Sequence, residues 1–190
     1  QRQRFLPAID LLKKHCRVIN LDGGQDYRLR ALKKASLYCS PLGHEADTDI
    51  EAIFSRLVPV EGEIKIGVDL EVEGRSIPVV KLSEDIVWFQ FASLCEGPRS
   101  QNDYIDIARE FHAVIIANIP MMGDDNNDAT RRFINLIDEF YDRNVKVALS
   151  AAESLPNLYS GERLAFEFER TKSRLLEMQS HEYLARPHCP

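Results

Sequence analysis

His112-Ala-Val-Ile-Ile-Ala-Asn-Ile119, closed by Pro120, and Val145-Lys-Val-Ala-Leu149 are the two runs on which the fold turns. Each has the length of a strand, and the first is almost wholly apolar, as a parallel strand covered on both faces must be. Between them lies the polar loop Gly123–Asn127, after which Asp128 reads as the cap of a helix. The apolar residues of that helix, Phe133, Leu136, Ile137, Phe140 and Tyr141, recur at i, i+3, i+4, i+7 and i+8. Strand, helix and strand with short connections make a βαβ unit, which predicts parallel strands joined by a right-handed crossover. Working outward, Ser100-x-x-Asp103 is a capping-box signature for a helix running to about Phe111. A final helix is expected over about 169–185.

Upstream the period changes from 3.6 to 2. From Glu63 to Glu73 the chain alternates, with Ile64, Ile66, Val68, Leu70 and Val72 on one side and Glu63, Lys65, Asp69, Glu71 and Glu73 on the other. Gly74-Arg75-Ser76 turns the chain into a second strand, Ile77–Leu82, and Asp85–Leu94 is read as a third, with Trp88 in it. Pro78 cannot donate a ladder hydrogen bond, so the second strand is not expected to be a fully paired central one. The three together predict a small antiparallel unit inserted in an α/β chain. Helical periodicity also marks 48–57 and 3–15, and Arg17–Leu21 reads as a short buried strand stopped by Gly23-Gly24. The chain therefore divides into 1–42, 43–97 and 98–190: a helix and strand, a helix with the antiparallel insert, and an α/β region with a final helix.

The chain has 190 residues, 44% of them apolar and 28% charged, an ordinary globular balance with room for a sizeable core. A formal charge of -6 argues against a nucleic-acid surface, which shows as a basic field. Lys13, Lys14, Arg28, Arg30, Lys33 and Lys34 crowd the first 34 residues and read either as a local basic patch or as a solvated helix face. Cys16, Cys39, Cys95 and Cys189 form no C-x-x-C pair and read as reduced thiols. His15-Cys16 and His188-Cys189 are sequence neighbours, which seldom point at one ion, and no metal site is expected from them. No apolar run reaches the ~18 residues of a membrane span, and no nucleophile elbow occurs.

Four stretches carry a resemblance. They are Pro98-Arg-Ser-Gln-Asn-Asp-Tyr104, Ala129-Thr-Arg-Arg-Phe-Ile-Asn-Leu-Ile-Asp-Glu-Phe-Tyr141, Val145-Lys-Val-Ala-Leu-Ser-Ala151, and Phe166 to Ser180. Gln1-Arg-Gln-Arg-Phe-Leu-Pro7 and Asp26-Tyr27-Arg28 add to them. Together they resemble the C-terminal half of the ZapE family, AAA-like P-loop ATPases that comprise a bacterial cell-division protein and its mitochondrial relatives. The resemblance covers nearly the whole chain except roughly residues 43 to 85. It implies a fold of the P-loop ATPase type, α/β with a parallel βαβ unit, the antiparallel insert and a C-terminal helix. It also implies an enzyme that hydrolyses ATP with magnesium and assists division at the septal ring or, in the mitochondrial relatives, protein quality control near the inner membrane, with a division-ring protein as partner and self-association as an oligomer. The acidic charge and the lack of a targeting segment favour the bacterial, cytoplasmic version. The phosphate-cradling pattern G-x-x-x-x-G-K-[ST] does not occur in these residues. The chain is accordingly expected to be a piece of the ATPase, to hold no cofactor alone and to be inactive alone.

The resemblance also assigns residues. ATP hydrolysis builds negative charge on the γ-phosphate, and an always-charged planar guanidinium from a neighbouring subunit is suited to meet it. Arg2 stands at the family's L-Q-R position for such an arginine finger, with Arg4 as a neighbour that shares or replaces it; the alternative is two solvated arginines. Arg131 and Arg132, in the first turns of a helix, resemble the second-sensor arrangement that reaches the γ-phosphate. Arg170 and Arg174, four apart on the last helix, compete for that role or pair with Glu169 and Glu177. Asp138-Glu139 ends a run that looks like a Walker B motif, yet the helical period passes through both residues, so a structural role is expected. Tyr27 and Tyr104 read as packing residues with a hydrogen bond. The rival to the enzyme reading is a non-enzymatic module that docks a partner on the β insert through Trp88, Phe89 and Phe91.

Overall fold

A computed structural model describes residues 36–59 and 62–190, together with Lys14 and Leu32. Arg2, Arg4, the 3–15 helix apart from Lys14, the Arg17–Leu21 strand and Tyr27 lie outside the described residues. Eight strands are described: β1 Tyr38–Cys39, β2 Lys65–Ile66, β3 Asp69–Val72, β4 Arg75–Pro78, β5 Lys81–Ser83, β6 Ile86–Gln90, β7 Ala113–Ile119 and β8 Lys146–Ala151. The described helices are α1 His44–Leu57, α2 Gln101–Glu110, α3 Asn127–Asp142, α4 Ala165–Met178 and the single turn α5 His181–Leu184.

Six strands form one sheet in the order β1-β8-β7-β6-β5-β2. The four strands β1, β8, β7 and β6 run parallel, and β5 and β2 add antiparallel to the edge. The expected βαβ unit is β7-α3-β8, and β6-α2-β7 is a second one. A crossover packs back onto a sheet with one hand, so a chain that advances steadily keeps its helices on one face. From β6 to β7 to β8 it does so, and α2, α3 and α4 share one apolar cluster with Val114, Ile116, Val147 and Leu149. The passage from β1 to β6 moves the opposite way across the sheet, and α1 lies on the opposite face. There Ile50, Ile53, Phe54 and Leu57 pack on Trp88, Ile115, Ala117 and Ala148.

The antiparallel region departs from expectation at one glycine. Gly67 takes φ 61°, a left-handed conformation that breaks the alternation between β2 and β3. The two halves then join different sheets, β2 pairing with β5 and β3 with β4. Val68 and Leu70 rest on the main core and Val72 is buried, whereas Ile64 and Ile66 are exposed. The second expected strand divides as well: Val79 N–H still donates to Val68, and Val80 N–H already donates to Trp88, at 2.8 Å. The third belongs to the parallel sheet and stops at Gln90, after which Ala92–Glu96 coils as one π-helical turn. Glu73 and Gly74 both have positive φ, as a two-residue primed hairpin turn between β3 and β4 requires.

Three smaller corrections concern helix ends. Asp128 is not the cap of α3; Asn126 is, and Asn126 Oδ1 accepts from Gly123 N–H at 2.8 Å. Helix α1, expected over 48–57, starts at His44. The last is split at Gln179–Ser180, where Ser180 Oγ accepts from Tyr183 N–H and starts a new turn. That break lets the Tyr183 hydroxyl donate to the Phe140 carbonyl at 3.2 Å, inside the core. Among the described residues no helix is long and apolar enough to cross a membrane.

Ile115 and Ile116 are adjacent, both fully buried, and belong to the two different clusters. Truncating either to alanine is therefore expected to cost about 2 to 5 kcal/mol, measured by urea unfolding. Near-neutrality at one of them would mean that β7 has a solvated face.

Candidate functional site

In an open parallel sheet, ligands sit outside the carboxyl ends of the strands, where neighbouring connections leave for opposite faces. Here that place is β1 beside β8: β1 leads to α1 on one face, and β8 leads to α4 on the other. The register sets Cys39 against Ser150. Ser150 Oγ accepts the Asn118 N–H at 3.0 Å, and Asn118 Nδ2 donates to Gln90 Oε1 at 2.8 Å. A row of polar side chains thus crosses the carboxyl ends of β1, β8, β7 and β6. Asn118 holds φ 62°, an unusual angle for a residue with a side chain, at the shift in register between Ile116 and Ile119. Beside the row, the corner from β1 into α1 encloses about 330 Å³ between Tyr38, Cys39, Gly43, His44 and Asp49. Burial, with Asp49 adding to it, pushes the Cys39 thiol up to about 11, so this lining sulfur is neutral at physiological pH.

The loops above this edge are tied together. Met122 N–H donates to the Leu158 carbonyl at 2.8 Å, and Ser160 N–H to the Met122 carbonyl at 2.9 Å. The Asp124 carboxylate accepts from the Glu162 and Arg163 N–H groups, both at 3.2 Å, and from the Tyr159 hydroxyl at 3.4 Å. Tyr159 Oη in turn accepts the Leu164 N–H at 2.9 Å. The Glu162 and Arg163 amides lie just before α4, so Asp124 ties the loop that follows β7 to the turn that leads into α4. Gly161 makes this possible: a Cβ there would sit 2.7 Å from Asp124 Oδ1 and collide with the Tyr159 hydroxyl.

The four second-sensor candidates separate clearly. Arg170 and Arg174 both bind Asp138 of α3, not Glu169 or Glu177, and Arg174 also lies over the Tyr141 ring. Arg132 Nη1 donates to the Cys95 carbonyl at 3.1 Å. Arg131 is exposed and, among the described residues, makes no ion pair. It stands in the second turn of α3, on the face opposite buried Phe133 and Ile137. Asp138 and Glu139 are helical, Glu139 binding Gln101 and Arg143 at 2.6 and 2.7 Å. They are scaffolding, as the helical period implied.

Pro98-Arg-Ser-Gln-Asn-Asp-Tyr104 also proves to be scaffolding. Buried Asp103 accepts from Ser100 N–H at 2.6 Å and pairs with Arg75 at 2.7 Å, pinning the β3–β4 hairpin to α2. Buried Tyr104 donates to the Leu94 carbonyl at 2.8 Å. Trp88, Phe89 and Phe91, on which the rival reading docks a partner, are buried between the sheet and its helices, so they offer no surface. Among the described residues no three His, Cys, Asp or Glu side chains stand together to hold a metal ion, and no ligand set for magnesium is assigned to them. Sequence reading missed Asn118 and Asp124. The only trace of either was the polar loop that contains Asp124 and a glycine at 161.

A family model described as AFG1-like ATPase matches residues 1–187. The chain is 44% identical over 188 residues to the cell division protein ZapE of Escherichia coli K12, covering 99% of this chain and 50% of that protein. It is 32% identical over 216 residues to lactation elevated protein 1 homolog B of Danio rerio, covering 96% of this chain and 43% of that one. It is 34% identical over 160 residues to an uncharacterized Schizosaccharomyces pombe protein, C115.02c, covering 84% of this chain and 35% of that one. The α/β fold with its parallel sheet is consistent with a P-loop type of ATPase. The chain belongs to the AFG1-like ATPase family. It spans about half the length of the curated relatives that it matches.

The Asp124 clasp carries a pH signature. Its backbone hydrogen bonds from Glu162 and Arg163, with the nearby Arg163 charge, hold the Asp124 carboxyl below its ordinary value of 3.8. A depressed folded pKa contributes stability that is present above the unfolded pKa and lost as pH falls through the folded one. The difference in thermal midpoint between the wild type and Asp124→Asn is therefore expected to be steady near pH 7 and to shrink below about pH 4. A difference that grew on acidification would show that the carboxylate is not the acceptor.

Proposed function

We propose that this chain is the C-terminal part of a magnesium-dependent ATPase that serves cell division at the septal ring from the cytoplasm. What carries the reading is the 44% identity to E. coli ZapE across 99% of the chain, a relative whose name states cell division. In this reading ATP and magnesium are held by the other half of the protein, with a P-loop, and these 190 residues supply arginines to the nucleotide. Bound magnesium would offset phosphate charge; this chain's own contribution is guanidinium placed where negative charge develops. Arg2, with Arg4 beside it, is the proposed finger delivered to a neighbouring subunit, which makes the working form an oligomer. A division-ring protein is the proposed partner, and nucleic acid is not.

The geometry supports Arg131 above the other three second-sensor candidates. A guanidinium already bound to Asp138 or to the Cys95 carbonyl must give up that contact before it can meet phosphate. Arg131 is exposed and has no such contact to surrender.

In the full-length protein, Arg2→Ala is expected to lower ATP turnover by a factor on the order of 10³ while leaving nucleotide affinity nearly intact. Arg131→Ala is expected to lower turnover with little loss of thermal stability, because its side chain is exposed and makes no ion pair among the described residues. Turnover within a few fold of wild type removes the residue concerned from the mechanism.

A further inference from the structure

Residues 185–190, which follow α5, are exposed apart from the half-buried His188, and none of them belongs to either apolar cluster. Polar contacts hold them instead, to the starts of β7 and β8 and to the ends of α2 and α3. Lys146, the first residue of β8, is only 5% exposed. Its Nζ donates to the Asn144 and Arg186 carbonyls, both at 2.8 Å, and to the Tyr183 carbonyl at 3.3 Å. The same ammonium lies 5.1 Å from the centre of the Tyr183 ring. Cys189 N–H donates to the Arg143 carbonyl at 2.9 Å, and Asn144 Nδ2 donates to the Pro187 carbonyl at 3.0 Å. His188 Nε2 donates to the Ala108 carbonyl at 2.7 Å, in the last turn of α2, and its ring lies 5.0 Å from that of His112, which precedes β7.

We propose that residues 185–190 form a releasable strap over the amino ends of β7 and β8, latched by Lys146. A segment opens separately from the rest of a fold when it buries little apolar surface and is held by hydrogen bonds that water can replace. This one can leave while the clusters on both faces of the sheet keep all their members. Lys146 is what favours the closed form. A buried ammonium needs acceptors, and two of the three carbonyls that it meets come from the end of α5 and from the strap itself. Bonds from a charged donor are roughly twice as strong as neutral ones, so Lys146 outweighs the neutral Asn144 contact. In the open form the Lys146 ammonium and the His112 ring lose the strap's cover. The device is independent of where nucleotide binds.

Amide hydrogen exchange in the full-length protein, without nucleotide, tests this. In the wild type the Cys189 amide is expected to be protected, yet to exchange far faster than the amides of Ile115 and Ile116 in β7. Lys146→Met keeps an unbranched apolar chain and removes the charge. It is expected to speed exchange at Cys189 about ten- to a hundredfold and to leave Ile115 and Ile116 unchanged. Asn144 holds φ 55°, which glycine adopts freely, so Asn144→Gly keeps the backbone and removes only the bond to Pro187. That variant is expected to speed exchange at Cys189 about fivefold. A Cys189 amide that is unprotected, or that exchanges only as fast as Ile115, would overturn the proposal, the first because the strap does not close and the second because it opens only with the whole sheet. An unchanged Cys189 rate in Lys146→Met, or an equal rise at Ile115, would overturn it as well. Should Lys146→Met fail to fold, an unchanged Cys189 rate in Asn144→Gly has the same consequence.

Discussion

The constraint on which the structure depends is the burial of β7 on both faces. A strand whose Ile115 and Ile116 are both inaccessible needs a layer of helices above and another below. The chain meets that requirement by advancing through β6, β7 and β8 with α2 and α3 on one side, and by carrying α1 to the other before it starts. Everything polar that has work to do is then displaced to the ends of the strands, because the faces are closed. The row from Cys39 through Ser150 and Asn118 to Gln90 is the result, and the loops that follow β7 and β8 stand over it.

Within that frame, several stretches that look chemical in sequence are spent on holding elements together. Asp138 resembles a magnesium-binding carboxylate, yet it lies on α3 and takes two arginines from α4. Asp103 fixes a hairpin to a helix end, and Arg132 supports a π-helical turn. Charged groups used this way are partnered and partly shielded, which suits anchoring and leaves little capacity for a ligand. The exposed Arg131 stands out against that background. Its isolation can be read only when the partners of the other arginines are known.

The antiparallel region shows how one backbone angle outweighs a long pattern. Alternation from Glu63 to Glu73 is a sound signal for an extended strand, since period 2 puts one face in and one face out. Gly67 at positive φ redirects the chain midway, so the apolar residues after it reach the core and Ile64 and Ile66 before it do not. The Val79–Val80 corner does the same to the next strand, handing it from β3 to β6 in successive residues. Local pattern carries no information about which neighbour a strand will meet, and so a three-stranded insert was expected where a hairpin and a widened parallel sheet exist.

The sequence by itself determined the α/β class, the βαβ unit over 112–149, the helical status of Asp138 and Glu139, the packing role of Tyr104 and the family. Each of these is written in short-range periodicity or in contiguous words, which need no knowledge of distant partners. Tertiary structure alone decided that β6 joins the parallel sheet, that Trp88, Phe89 and Phe91 are interior, and that Arg170 and Arg174 are bound while Arg131 is exposed. It alone brought Asp124 to the Glu162 and Arg163 amides, 38 and 39 residues away. Those outcomes depend on which residues meet across long separations, and strand order, helix face and loop closure settle that together; no window of sequence short enough to show a period contains both partners.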